Sequence, residues 1–159
     1  MVLSIGKFHA FITFPLMTTY FLSLNPFIKS IFFNGMLLCI FILYQGQRYW
    51  HLKLKRLENK PFSQSENLQF FKKRKRINWL LISGIPVVLI FQFLTVDWLS
   101  MDSEIILWSV LANLFAVLDH INCYHRQLMV DNSEDLKYLI RNKRFKKASL
   151  AKDLQENRF

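Results

Sequence analysis

The sequence predicts an all-α integral membrane protein with four transmembrane helices, both termini in the cytoplasm, a cytoplasmic helical hairpin and a basic C-terminal helical tail. Three observations carry that expectation: four long apolar blocks, confinement of positive charge to the gaps on one side of them, and tryptophans at the block ends. Hydrophobic residues make up 52% of the 159. A soluble domain comes close to that share, so the distribution of these residues decides the class, not their total.

A helix that crosses the roughly 30 Å hydrocarbon core at about 1.5 Å per residue needs about 20 mainly apolar residues. Such blocks cover about residues 5–24, 27–44, 77–96 and 105–123. Lys29 lies inside the start of the second block and must snorkel its ammonium toward the interface. A re-entrant hairpin of the first two blocks is the alternative, and the ordinary turn signal at Asn25 and Pro26 weighs against it. A soluble helix would show a polar face every 3.6 residues, yet Trp79 to Leu94 offers only Ser83 and Gln92 as polar side chains. Lys7 ahead of an apolar run resembles a signal peptide, but no small-x-small cleavage site follows and the run exceeds a usual h-region. The first block therefore reads as a retained helix. Trp50, Trp79, Trp98 and Trp108 fall near the block boundaries, as interfacial anchors should.

Orientation follows from the basic residues, which are held on the cytoplasmic side of short loops. With four crossings, the N-terminus, the 45–76 loop and the tail share one side, and that side receives all but Lys29 of the 21 lysines and arginines. The 95–104 loop instead carries Asp97, Asp102 and Glu104. This bias predicts a multi-pass protein of the cell (inner) membrane and accounts for the net charge of +10 without nucleic acid. The cluster Lys72, Lys73, Arg74, Lys75 and Arg76 matches a nucleic-acid or nuclear-localisation pattern. Directly before a spanning helix it reads instead as a flank that contacts anionic headgroups. Cys39 and Cys123 lie near cytoplasmic helix ends, where thiols stay reduced and a structural disulfide is not expected.

The chain thus divides into a membrane domain, residues 1–130, and a tail, residues 131–159. In the 45–76 loop, Tyr49, Leu52 and Leu57 fall near one side of a helix that continues the second span. Pro61 stops it, and Ser65 is positioned to cap a helix leading through Leu68, Phe70 and Phe71 into the third span. In the tail, Ser133 is the expected cap of a helix with the stripe Leu136, Leu139 and Ile140. Ser149 is the expected cap of another, with Leu150 and Leu154 on its apolar side. Basic amphipathic helices of this kind lie on an anionic membrane, dock on the hairpin or bind a partner, and the sequence does not separate these. The scarcity of glycine leaves no GxxxG face, and the 16 phenylalanines suggest spans packed through bulky side chains or shielded by lipid.

Polar groups inside a spanning helix are costly, and this makes each a functional candidate. The candidate cluster consists of His9, Arg48, Asn113, Asp119, His120, Asn122, Tyr124 and Arg126. Gln45, Asn78 and Thr13 are further partners at similar depth. Asn113, His120, Tyr124 and Gln127 align on one face of the fourth helix, and Asp119, Asn122, Cys123 and Arg126 form the adjoining stripe. Two readings stand beside each other. In one, Asp119 and His120 exchange a proton or hold a ligand; in the other, Asp119 pairs with Arg48 or Arg126 and the cluster only fixes helix packing.

His120 and His125 lack the i, i+4 spacing of paired metal ligands, and a haem between His9 and His120 would demand both rings at one depth. No metal or cofactor is expected. The residues match no named family's motifs, and G-x-S-x-G, P-loop, H-E-x-x-H and C-x-x-C signatures are missing, which weighs against an enzyme. The expected function is a non-enzymatic scaffold or accessory subunit whose basic cytoplasmic side binds a partner or anionic lipid. The alternative is a small oligomeric transporter or membrane enzyme using Asp119 and His120. Expected partners are the lipid bilayer and its anionic headgroups, a protein at the cytoplasmic face and a second copy of the chain.

Overall fold

A computed structural model describes residues 12, 15, 16, 19, 29–95, 103–130 and 132–158. The predicted first span, His9 and Thr13, the turn at Asn25 and Pro26, and the loop around Asp97 and Trp98 lie outside the described residues. Among the described residues the fold is all-helical, with five helices and no strands: α1 Lys29–Leu57, α2 Gln64–Thr95, α3 Ser103–Tyr124, α4 Ser133–Asn142 and α5 Ser149–Glu156. Among the described residues one segment, Ile106–Tyr124 in α3, is long and apolar enough to cross a membrane, with a mean hydropathy of 1.4. Most of that segment is left uncovered by the rest of the chain.

α1 runs past the second apolar block into the charged loop, and α2 runs from that loop through the third block, so the loop is a helical hairpin. Its turn is made by the backbone. Asn59 adopts a left-handed conformation with φ of 53°. The Lys60 and Asn59 amides donate to the carbonyls of Lys55 at 2.9 Å and Arg56 at 3.1 Å. These are the two hydrogen bonds of a Schellman stop, which satisfies the last carbonyls of α1 before Pro61 is reached. α2 then starts at Gln64, with the Ser63 carbonyl accepting the Asn67 amide. The cap expected at Ser65 is displaced because Ser65 already lies within the first turn.

α1 and α3 cross most closely. A Cβ added at Gly35 would meet the Asn113 nitrogen at 2.8 Å and the Ala112 carbonyl carbon at 2.9 Å. Ala112 and Ala116 are buried opposite Gly35 and Cys39, and the Cys39 thiol contacts the Ala112 carbonyl at 3.6 Å. The crossing therefore runs through small residues, contrary to the expected packing through bulky side chains: one glycine against two alanines permits the approach that GxxxG permits elsewhere. Around it, Leu38, Cys39, Ile42, Ile85 and Ala116 form one buried cluster.

A second cluster lies at the hairpin and joins Tyr49, Leu52, Leu68, Phe71, Tyr124 and Leu150. Here the tail returns. The Gln127 amide donates to the Lys146 carbonyl at 2.9 Å and the Ala148 amide to the His125 carbonyl at 3.2 Å, pinning the chain beside the end of α3. α5 then lays Leu150 and Asp153 into the hairpin, where the Tyr49 hydroxyl donates to Asp153 at 2.6 Å and Lys53 pairs with it at 2.8 Å. The choice that the sequence left open is resolved for α5, which docks on the hairpin.

α4 differs, since none of its residues is buried. Asn132 caps it, its side chain accepting from the Asp135 amide at 2.8 Å, so Ser133 is the first helical residue and not the cap. α5 likewise starts at Ser149 after Ala148, which supplies no side-chain cap.

Gly35→Ala should push α1 off α3, because the atoms it meets are backbone and cannot rotate away. Its melting temperature in detergent should fall by several degrees, whereas Gly84→Ala, which meets nothing within 4 Å, should leave it unchanged or raise it, since alanine favours a helix by up to about 1 kcal/mol. Leu150→Ala should cost about 2–5 kcal/mol of packing at the docked α5 and expose the tail to limited proteolysis at concentrations that leave the wild type intact.

Candidate functional site

The candidate residues meet where the apolar halves of α1 and α2 give way to the charged hairpin. Gln45 on α1, Asn78 on α2, and His120 and Tyr124 on α3 are all buried there. In an apolar surrounding each must find its hydrogen bonds within the protein, or cost about 1–3 kcal/mol. Gln45 and Asn78 do so reciprocally. Gln45 Nε2 donates to Asn78 Oδ1 at 3.1 Å, and Asn78 Nδ2 donates to Gln45 Oε1 at 3.0 Å. Gln45 Nε2 also donates to the Phe41 carbonyl at 3.0 Å, and the Tyr124 hydroxyl donates to Gln45 Oε1. Asn78 Nδ2 then lies 3.4 Å from His120 Nδ1. Three helices are thereby tied at one depth.

His120 is enclosed by rings. It stacks on Tyr124 with centroids 5.1 Å apart, meets Trp79 edge-on at 5.5 Å and meets His125 at 5.5 Å. Trp79 also stands edge-on to His125 at 6.1 Å. The Nε2 atoms of both histidines are buried without a hydrogen-bond partner. Burial holds the His125 imidazole below its ordinary value, and the Lys75 ammonium adds to that effect.

Of the candidates named from sequence, His120 and Tyr124 join this seam, as do the proposed partners Gln45 and Asn78. Asn113 does not: it sits about two turns away, donates to the Ser109 carbonyl at 2.8 Å and abuts Gly35. Asp119 pairs with neither arginine. Arg48 donates to Asn67 at 3.3 Å and lies over the Phe70 ring at 3.8 Å, and Arg126 reaches the Phe145 carbonyl at 3.2 Å. Asp119 lies one turn before Cys123 on the same face of α3, and Cys39 and Cys123 are both free thiols. Asn122 turns to the tail, where its Oδ1 accepts from the Leu128 amide at 2.7 Å. Asn122 and Arg126 of the adjoining stripe thus turn to the tail. Gln127 likewise leaves the seam and donates to Asp135 at 3.0 Å.

The basic cluster is divided by helix rotation. Arg74 lies over the rings of Phe41 and Phe70, both at 5.0 Å, and Lys72 donates to Asn157 at 2.7 Å. Lys73 and Arg76 are exposed, and Lys75 stands one turn before Trp79 on the same face of α2. Among the described residues no group of three or more His, Cys, Asp or Glu side chains gathers as a metal site would require.

Sequence reasoning passed over Asp153. Its carboxylate shares a helix face with Leu150 and Leu154, and an acid on the apolar side of an amphipathic helix disfavours an anionic membrane as the docking partner. Burial, together with that carboxylate, pushes the Tyr49 phenol far above its usual range. The chain matches no protein-family model, no curated protein and no solved structure.

The lowered His125 value fixes a pH dependence. Between that value and the ordinary 6.5, the unfolded chain holds more protons than the folded one, so stability falls as pH drops below about 6.5 and levels off beneath the folded value. Thermal melts between pH 7.5 and 5 should show this loss, and His125→Gln should reduce it.

Proposed function

We propose that this chain is a non-enzymatic scaffold or accessory subunit of the cell membrane that crosses the bilayer four times, with both termini cytoplasmic, and presents a basic surface to anionic lipid or a protein partner. The observation that carries the reading is the inside-out arrangement of the apolar helix halves. Their exteriors are Leu80, Val87, Ile90, Phe91 and Leu94 on α2 and Leu107, Val110, Leu114 and Phe115 on α3, all exposed. Their interiors hold Gln45, Asn78, Gln92, Ser109, Asn113 and His120, all buried. Water would favour the reverse, and lipid favours this. The outward hydroxyls of Ser83 and Thr95 donate to carbonyls of their own helix, at 2.8 and 2.9 Å, as they must where no water is available. The one-sided distribution of the basic residues, to which Lys29 is the single exception, supports the count and direction of the crossings.

α4 and its flanks supply the binding surface. Leu136 and Ile140 are 48% and 69% exposed, with Met129, Val130 and Phe145 uncovered nearby. Lys137, Arg141, Lys143, Arg144 and Lys146 surround them. Charge and apolar stripe together fit the headgroup layer of an anionic leaflet. With α5 committed to the hairpin, α4 is the tail element left to engage a surface.

Topology provides the test. In a Cys39→Ala, Cys123→Ala background, single cysteines at Lys55, Lys73 and Lys143 should resist a membrane-impermeant maleimide in intact cells and react after permeabilisation, while a cysteine at Ser100 should react from outside. Labelling of position 55 or 73 in intact cells refutes the orientation. Extraction of the protein by alkaline carbonate without detergent refutes the membrane reading altogether.

A further inference from the structure

The seam ends in two hydrogen-bonding groups that it does not use, and their chemistry is determined. The Phe41 carbonyl only accepts, so the nitrogen of Gln45 must face it. Gln45 Oε1 then faces Tyr124 and Asn78 Nδ2. That orientation leaves Asn78 Nδ2, which has only protons to offer, beside His120 Nδ1. His120 must accept there, so the proton of its neutral ring sits on Nε2. The ring is 1% exposed, and Nε2 has no partner. The edges and faces of Trp79 and Tyr124 are weak acceptors at best. A dry N–H donor of fixed tautomer is costly to retain, which points to a ligand with an acceptor atom.

We propose that this end of the seam is a binding site for a phosphate-bearing anion, held by the His120 Nε2–H, the His125 ring and the Lys75 ammonium, with Trp79 as its wall. The second buried and unpartnered nitrogen, His125 Nε2, lies on a ring 5.5 Å from His120. Lys75 stands one turn before Trp79 on the same face of α2, Trp79 meets both rings, and Lys75 makes no ion pair among the described residues. Asp119, the adjacent acid, instead shares a face of α3 with Cys123, whose thiol packs beside Gly46. An N–H donor, a second imidazole and an ammonium suit a phosphate, whose several oxygens accept from more than one group. A metal ion would need the bare lone pair that the fixed tautomer removes from His120 Nε2. Two sources carry this chemistry, an anionic phospholipid headgroup and free phosphate. The lipid source rests on the membrane reading above; the phosphate site itself does not.

The test uses the full-length protein in maltoside micelles, which contain no phosphate. With Trp50, Trp98 and Trp108 replaced by Phe, Trp79 fluorescence is titrated with short-chain phosphatidylglycerol, with inorganic phosphate, and with sodium chloride at matched ionic strength. Saturable change with phosphatidylglycerol alone assigns the site to a lipid headgroup, and saturable change with inorganic phosphate assigns it to the free ion. In either case, His120→Phe and the partly exposed, fold-sparing Lys75→Gln should each raise the half-saturation concentration about tenfold or more. A response that sodium chloride reproduces, no response to either probe, or equal half-saturation in the wild type and Lys75→Gln overturns the proposal. Because the inorganic arm needs no bilayer, its outcome is independent of the maleimide topology result.

Discussion

The reciprocal amide pair between Gln45 and Asn78 is the constraint on which the rest of the structure depends. Two buried side-chain amides can satisfy one another only in a single relative rotation and register of α1 and α2. Once that register is set, the small-residue face of α1 is turned to α3, the Tyr124 hydroxyl finds its acceptor, and the His120 ring is held against Tyr124. Neither amide has an apolar substitute that would preserve this. The pair contributes specificity more than net stability, as buried polar networks generally do.

Tyr124 connects the two halves of the molecule. Its hydroxyl belongs to the seam, while its ring belongs to the cluster that receives Leu150. The depth of α3, the rotation of the hairpin and the seating of α5 are therefore not independent. Displacement of α5 would uncover Tyr124 from below, and rotation of α3 would withdraw the surface on which α5 rests. α4, which has no buried residue and is held by its cap, the Gln127 and Lys146 contacts to Asp135, the Lys146 ammonium over Tyr138 and its short flanks, can engage a surface without disturbing this arrangement.

Much of this was legible in the sequence. Long apolar runs and one-sided lysines and arginines report helix class directly, and the hairpin was announced by Pro61 and by amphipathic spacing on both sides of it. The polar residues of the seam were recognisable because glutamine, asparagine and histidine are conspicuous in greasy helices. Their pairing was not, since it depends on helix rotation, which decides whether Asp119 meets Arg48 or lies away from it. The close crossing at Gly35 escaped notice because its complement is Ala112 and Ala116, and alanine is too common in helices to signal contact. The stop of α1 was assigned to the wrong residue and the start of α4 was misplaced by one for a related reason. Backbone conformation at Asn59 and a side-chain bond from Asn132, not the more obvious Pro61 and Ser133, terminate and initiate those helices. The fate of α5 turned on Asp153, a single residue whose meaning appears only once Tyr49 and Lys53 are beside it.

The bond between Tyr49 and Asp153 spans 104 residues of chain. At a synthesis rate of about 5–20 residues per second, roughly 5–20 seconds separate the two partners at the ribosome. Once Phe71 has followed, Tyr49, Leu52 and Phe71 lack the cover that Leu150 and Asp153 give them in the finished fold until α5 has left the ribosome.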